Sequence, residues 1–291
     1  MPRLEAITTP SRNSTAVLKR LRASHAFVFD MDGTLVLGDK TNHGLNPLPG
    51  ALAITALLSE RGVPFILFTN GTARTPQQYV RMLRDVGFPL PDNGVMTPAS
   101  SAADHFRRRG YLRILTLGGE GLEKPLRDAG MEIVSPAGNP KVDAVLVGWF
   151  REFTMIALEA ACYAAWNGAK VYSCSQSLFF ATAQGKALGT SRAISAMIKD
   201  LTGARIHVIG KPALEALRCA ARRLNVRTQE LTVVGDDPSL EIPMALHGGA
   251  LAVAVNSGVG GADSYSHLPA KQRPHLTVHN VDELLALYKG H

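Results

Sequence analysis

The chain has 291 residues, enough for one large α/β domain or two moderate ones. Hydrophobic residues make up 46% and charged residues 19%, a soluble globular composition, and no apolar run approaches the roughly eighteen residues that span a bilayer. The net charge is +7, but apart from Arg107-Arg108-Arg109 the basic residues are scattered. Without RNA-binding aromatic patterns or Cys/His finger spacings, that excess points to small anionic ligands, phosphorylated metabolites included, and not to nucleic acid or a membrane.

Residues 1–25 are rich in Ser, Thr and Arg and hold one acid, Glu5. That composition is shared with transit segments. It is read here as a polar extension over 1–19 leading into a short helix from Ala16 to Arg22, in a cytoplasmic protein. Cys162, Cys174 and Cys219 are far apart and odd in number, which fits a reducing compartment without disulfides or a zinc pattern.

The next stretch, FVFDMDGTLV (27–36), is an apolar run ending in two aspartates one residue apart. Alternate side chains of a strand share a face, so Asp30 and Asp32 would project beyond the strand's carboxyl end, the ligand-binding edge of open α/β sheets. Two carboxylates repel by about 4 kcal/mol at about 4 Å and an effective dielectric near 20. Such a pair calls for a cation between them or a proton on one of them; a solvated Asp-rich turn is the alternative.

Pro49 to Arg61 reads as an amphipathic helix stopped by Gly62, and VPFILFTNG (63–71) as a doubly buried strand. Thr75 can cap a helix with Pro76 at its first position, running to Val86. Strands follow at YLRILTLGG, MEIVS, VDAVLVGWF and AKVYSCS, with helices near 121–129, 153–167 and 189–202. IHVIGKP, a helix from Pro212 to Leu224, LTVVGDD, LAVAV and a last helix from Val281 to Tyr288 close the alternation. This rhythm predicts doubly wound parallel sheets. The division is a core built from 20–96 and 207–291 and an α/β insert over 97–206. Gly258-Val259-Gly260-Gly261 lacks the third glycine of a dinucleotide fingerprint, since Asp263 stands there, and is discarded.

Three further strand tips carry chemistry. Thr69-Asn70-Gly71-Thr72 offers a hydroxyl, an amide and approachable backbone N–H groups for an anion. Gly210-Lys211-Pro212 puts an ammonium at a helix start. Asp236-Asp237, with Glu241 a turn later, supplies hard oxygen donors of the kind magnesium prefers. Each tip alone also reads as a turn or a helix cap. Independent turns have no reason to place carboxylates, hydroxyl, lysine and carboxylates in sequence at one sheet edge.

With these motifs the chain resembles the haloacid-dehalogenase (HAD) superfamily, as DMDGT (30–34), TNG (69–71), GKP (210–212) and GDD with Glu241 (235–241). The insert between the second and third motifs resembles the cap of class IIA, which includes NagD-like nucleotide phosphatases, 4-nitrophenylphosphatases and phosphoglycolate phosphatases. Leu48-Pro49-Gly50-Ala51 and Val147-Gly148 with Arg151-Glu152-Phe153 add to it. The resemblance implies a Rossmann-like α/β core with an inserted α/β cap, and a Mg²⁺-dependent phosphatase of small phosphorylated metabolites. Asp30 would be the nucleophile and Asp32 the general acid and base. Asp30, the Asp32 carbonyl and Asp236 would hold Mg²⁺. Thr69, Asn70 and Gly71 would bind phosphoryl oxygens, and Lys211 would stabilise the charge on Asp30 and the phosphoryl group. Asp237 and Glu241 would orient metal-bound water from outside.

In the cap the resemblance implies specificity residues at Trp149, Phe150, Ser173, Cys174, Ser175 and Gln176. Relatives often carry an acid where Trp149-Phe150 stand and a Thr-Asn-Pro-Asp-like loop where Ser173 to Gln176 stand. The loss of charge suggests a leaving group that is less cationic or more apolar; drift in a loop that touches no substrate is the alternative. Pro243 is compatible only with a helix starting near residue 242. A phosphotransferase would use the same intermediate, but such enzymes usually carry their cap between the first two motifs, here only about thirty-five residues apart. A non-catalytic binding protein would not need every chemical residue intact. A homodimer through the cap is the assembly the resemblance leaves open.

Overall fold

The computed structural model describes residues 15–38, 45–182, 185–258 and 264–290. Most of the 1–19 extension and part of the discarded glycine run lie outside them.

The first core segment holds α1 (Thr15–Arg22), β1 (Ala26–Asp30), a hairpin of β2 (Val36–Gly38) and β3 (Leu45–Pro47), α2 (Ala51–Glu60), β4 (Phe65–Phe68), α3 (Pro76–Asp85) and β5 (Val95–Met96). The insert runs through α4 (Pro98–Arg109), β6 (Arg113–Leu117), α5 (Glu120–Asp128), β7 (Glu132–Val134), β8 (Ala144–Val147), α6 (Met155–Trp166) and β9 (Lys170–Ser173). It continues with β10 (Phe179–Thr182), β11 (Gly185–Leu188), α7 (Thr190–Thr202) and β12 (Ile206–Val208). The chain returns with α8 (Leu214–Leu224), β13 (Leu231–Gly235), α9 (Glu241–His247), β14 (Leu251–Val255), β15 (Leu276–Val278) and α10 (Val281–Lys289).

The core sheet has six parallel strands in the order β15-β14-β13-β1-β4-β5. Its strands hardly alternate in polarity because both faces are covered. Phe27 and Phe29 point into a layer with Ile54 and Leu58 of α2, Val80 and Leu83 of α3, and Leu284 and Tyr288 of α10. Val28, Ile66 and Phe68 point the other way, onto Leu217 and Ala220 of α8 and Ile242 and Met244 of α9. Register places the chemistry: Asp30 lies opposite Phe68, and Phe29 opposite Val234. The strand ends that lead into Asp30, Thr69 and Asp236 are therefore level.

The cap is built on a five-stranded parallel sheet in the order β12-β9-β8-β6-β7. One side packs on α6 and α7, the other on α4 and α5. The expected boundary, with the core resuming at residue 207, does not hold: Ile206–Val208 pair with Val171–Ser173 of β9, so the chain rejoins the core only after Val208. Strand pattern does not name a partner, and the half-buried burial of β12 is that of an edge. Lys211 is therefore delivered by the linker leaving the cap, not by a core strand.

Core and cap are also braced outside the linkers. Asp104 of α4 accepts from Arg108, at 3.2 Å, and from Arg222 of α8, while Arg222 also reaches Glu215 at 3.0 Å. Among the described residues no helix is long and apolar enough to cross a membrane.

Candidate active site

Asp30 ends β1 and is buried. One of its oxygens is paired with the Lys211 ammonium and the other lies 3.3 Å from the Thr34 hydroxyl. That same hydroxyl is 3.2 Å from Asp236 Oδ1. Gly33 supports this tight arrangement: it has φ +85°, and a Cβ there would lie 2.5 Å from Asp236 Oδ2. Gly258, after β14, closes on the same oxygen, where a Cβ would come within 2.0 Å. Glycine is thus required on both sides of Asp236.

Lys211 is fully enclosed. Besides Asp30 it holds Glu241 Oε1 at 2.7 Å, and its ammonium sits 5.4 Å from the centre of the Phe68 ring. Burial alone would lower its pKa, but Asp30 and Glu241 together outweigh that and raise it, so the ammonium stays charged. Glu241 is pushed upward by burial, with the Lys211 charge opposing. The residue expected to orient metal-bound water thus faces the lysine with one oxygen, while the other accepts from the Asp237 N–H at 3.1 Å. Asp237 caps its own turn, accepting from the Ser239 N–H at 2.7 Å and hydroxyl at 2.6 Å.

Asn70 moors the lysine's backbone. Its Nδ2 donates to the Lys211 carbonyl at 3.0 Å, and its Oδ1 accepts from the Lys211 N–H at 2.9 Å. The Asn70 side chain is thereby committed, leaving its backbone N–H for an anion. Thr69 accepts from the Gly71 N–H at 3.0 Å and makes a long 3.4 Å contact to Asp32 Oδ2.

Asp32 is the contrast to Asp30. It is open to solvent on the cleft side. Protein crowds it elsewhere, and that desolvation, followed by the charge of Asp30, pushes its carboxyl up to about 6. Lys211, the Thr69 hydroxyl and Arg74 act against the rise.

The residues present fit a hard divalent cation. The single proton of the Thr34 hydroxyl faces two buried carboxylates, Asp30 and Asp236, and can serve only one at a time. No cluster of three or more His, Cys, Asp or Glu side chains forms a cage among the described residues. One or two carboxylates completed by water and substrate oxygen is the arrangement magnesium favours.

The expected cap residues divide. Ser173, Cys174 and Ser175 are buried. Ser173 donates to the Ser175 carbonyl at 2.8 Å, and Cys174 packs in the cap core with its thiol pKa raised by burial. These three are packing groups in this arrangement, not surface for a leaving group. Gln176 is half-buried and donates to Ser173 Oγ at 2.8 Å. Phe150 packs against Phe153 at 6.2 Å between ring centres. Trp149 meets the core, its backbone N–H donating to Thr72 Oγ1 at 2.8 Å.

Thr34 and Thr72 stand in the motifs without an assigned role, and Tyr79 and Arg74 escaped the sequence reading. Arg74 left one signal. It stands just ahead of Thr75, the N-cap of α3, where the helix dipole disfavours a cation.

Comparison with known proteins matches residues 27–132 to a haloacid dehalogenase-like hydrolase profile and 208–284 to a HAD-hydrolase-like one. The chain is 25% identical over 240 residues to the 5'-nucleotidase YutF of Bacillus subtilis, covering 82% of this chain and 90% of that protein. It is 27% identical over 245 residues to the ribonucleotide monophosphatase NagD of Escherichia coli, covering 83% and 91%. The structure of a 4-nitrophenylphosphatase from Thermotoga maritima superposes with a TM-score of 0.80 and 26% identity over 91% of this chain and 97% of its own. Both halves of the core match one family, the superposition takes in core and cap together, and the chain belongs to the haloacid dehalogenase-like hydrolases, in their class IIA branch.

Proposed function

We propose that this protein is a Mg²⁺-dependent phosphatase that hydrolyses small phosphate monoesters through an aspartyl-phosphate. One observation carries the reading: two aspartates two residues apart occupy opposite electrostatic environments. Asp30 is paired with a buried ammonium, while Asp32 titrates at about 6. Two carboxyls in such different settings, one ion-paired and one not, are suited to separate nucleophile and acid–base roles. The phosphatase relatives support the same chemistry.

Asp30 attacks phosphorus, and the ester P–O bond breaks as the leaving oxygen takes the proton of Asp32. Water then attacks the aspartyl-phosphate, Asp32 receives its proton, and inorganic phosphate leaves. Lys211 stabilises charge on Asp30 and the phosphoryl group, and the Asn70 and Gly71 N–H groups receive phosphoryl oxygens once Thr69 yields the second of them. Asp30, the Asp32 carbonyl and Asp236 would hold Mg²⁺, which supplies positive charge to a dianionic substrate. Asp237 would act beyond that contact through its turn.

The test is Mg²⁺-dependent hydrolysis of 4-nitrophenyl phosphate and a panel of phosphorylated metabolites by wild type and Asp30→Asn. Metal-dependent turnover should vanish in the variant. No activity above the variant on any compound overturns the reading. We also propose self-association through the cap. Met155, Ile156, Tyr163 and Trp166 of α6 are 67%, 61%, 44% and 59% exposed, an apolar face suited to a second copy. Trp166→Glu should shift a dimer to monomer in sedimentation; a monomeric wild type refutes this.

A further inference from the structure

The chemistry above leaves one cation of the cleft unassigned. Arg74 is half-buried on the loop between Gly71 and α3. Among the described residues it forms no ion pair, whereas Lys211 holds two.

Its surroundings fix where it can act. The Tyr79 hydroxyl lies beside the guanidinium, and a Cβ at Gly71 would fall 2.5 Å from that hydroxyl. Tyr79 thus separates the phosphate-binding loop from Arg74. From the other side, Gly121 at the start of α5 presses on the backbone of the same loop: a Cβ there would lie 2.7 Å from both N and C of Arg74 and 2.4 Å from the Thr72 carbonyl. With the Trp149–Thr72 bond, this clamps the loop between core and cap. The seam is where a leaving group must lie, since the phosphoryl end belongs to Thr69 to Gly71. The charge of Arg74 also reaches Asp32, the group that would protonate the leaving oxygen. A half-buried arginine without a close ion pair, ahead of a helix N-cap, gains on both counts when an anion arrives.

We propose that Arg74 is a substrate-contact residue that binds an anionic group on the leaving alcohol, a carboxylate or a second phosphate close to the scissile ester oxygen. The preferred substrates are then small monoesters of acidic alcohols. A guanidinium offers two parallel N–H donors to either anion, which an ammonium cannot. The assignment rests on the phosphatase reading and names the substrate class of that site.

The experiment compares kcat/KM for 2-phosphoglycolate, ethylene glycol bisphosphate and the neutral analogue 2-hydroxyethyl phosphate in wild type, Arg74→Gln and Arg74→Lys. Wild type should prefer one or both anionic substrates. In Arg74→Gln the ratio of that substrate to the neutral analogue should fall about 10- to 100-fold, chiefly in KM, with Arg74→Lys recovering part of it. Whichever ratio falls further identifies the anion. A second measurement needs no turnover: on the Asp30→Asn background, Arg74→Gln should weaken binding of the preferred anionic substrate more than that of the neutral analogue. Equal losses on all substrates would make Arg74 a phosphoryl or structural contact and overturn the assignment, as would no loss. Wild type hydrolysing none of the three, nor anything in the wider panel, sinks the phosphatase reading instead.

Discussion

Replacing Lys211 by methionine keeps the length of the side chain and removes its charge. Two buried carboxylates, Asp30 and Glu241, then share a pocket without a cation. At 2.7 Å the Lys211–Glu241 attraction alone is on the order of 6 kcal/mol for an effective dielectric near 20, before desolvation. The net cost of breaking such a pair is about 3 to 5 kcal/mol. At about 2 °C per kcal/mol for a chain of this length, Tm should fall by about 6 to 10 °C. The loss has a pH signature. Without the ammonium, Glu241 loses the charge that opposes its burial, and its folded pKa stands still further above its unfolded one. Stability is retained where Glu241 is protonated and is lost as pH rises through its raised value. Thermal melts at pH 5 and pH 8 should therefore show a much smaller deficit at the lower pH. Adding Glu241→Gln removes the surplus charge and should restore much of the stability at pH 8, without restoring hydrolysis. An equal deficit at both pH values, or none, would show that the lysine does not compensate these carboxylates.

Two further outcomes follow from the site. With Asp32 titrating at about 6, hydrolysis of an alkyl phosphate should decline as pH rises through that value, because the proton for the leaving oxygen is lost. 4-Nitrophenyl phosphate, whose leaving group needs no proton, should lack that limb; identical profiles would refute the role of Asp32. Gly258→Ala places a methyl group 2.0 Å from Asp236 Oδ2 and should weaken Mg²⁺ binding by about 10- to 100-fold in calorimetry, and an unchanged affinity would refute the cradle.

Much of the core was legible because its strands are buried on both faces and end in residues with few structural alternatives. FVFD, FILF and LTVVG are parallel strands as predicted, and α3 starts at Pro76 behind Thr75. Pro243 is tolerated as expected, since α9 begins at Glu241 and the proline falls in its first turn. What failed depended on partners. Whether Ile206–Val208 belongs to core or cap is decided by Val171, far away in sequence. The helix over Pro98–Arg109 went unread beneath the charge of its triple arginine, whose role emerges only when Arg108 meets Asp104 and Glu215. The ammonium against Glu241 likewise comes from a segment distant in sequence and shows only in the folded chain.

The lysine enters the site three residues after the cap sheet ends, a position where any swing of the cap would tug on it. Gly210 is wedged there: a side chain would strike the Cys174 carbonyl at 2.2 Å, the Asn70 Oδ1 at 2.7 Å and Pro98 at 2.9 Å. Asn70, fastened to both the N–H and the carbonyl of Lys211, works like a mooring post between the two sides. The machinery that breaks the phosphate bond is thereby insulated from the part that selects what the phosphate is attached to, so the cap can change its contents while the charged centre keeps its tuning.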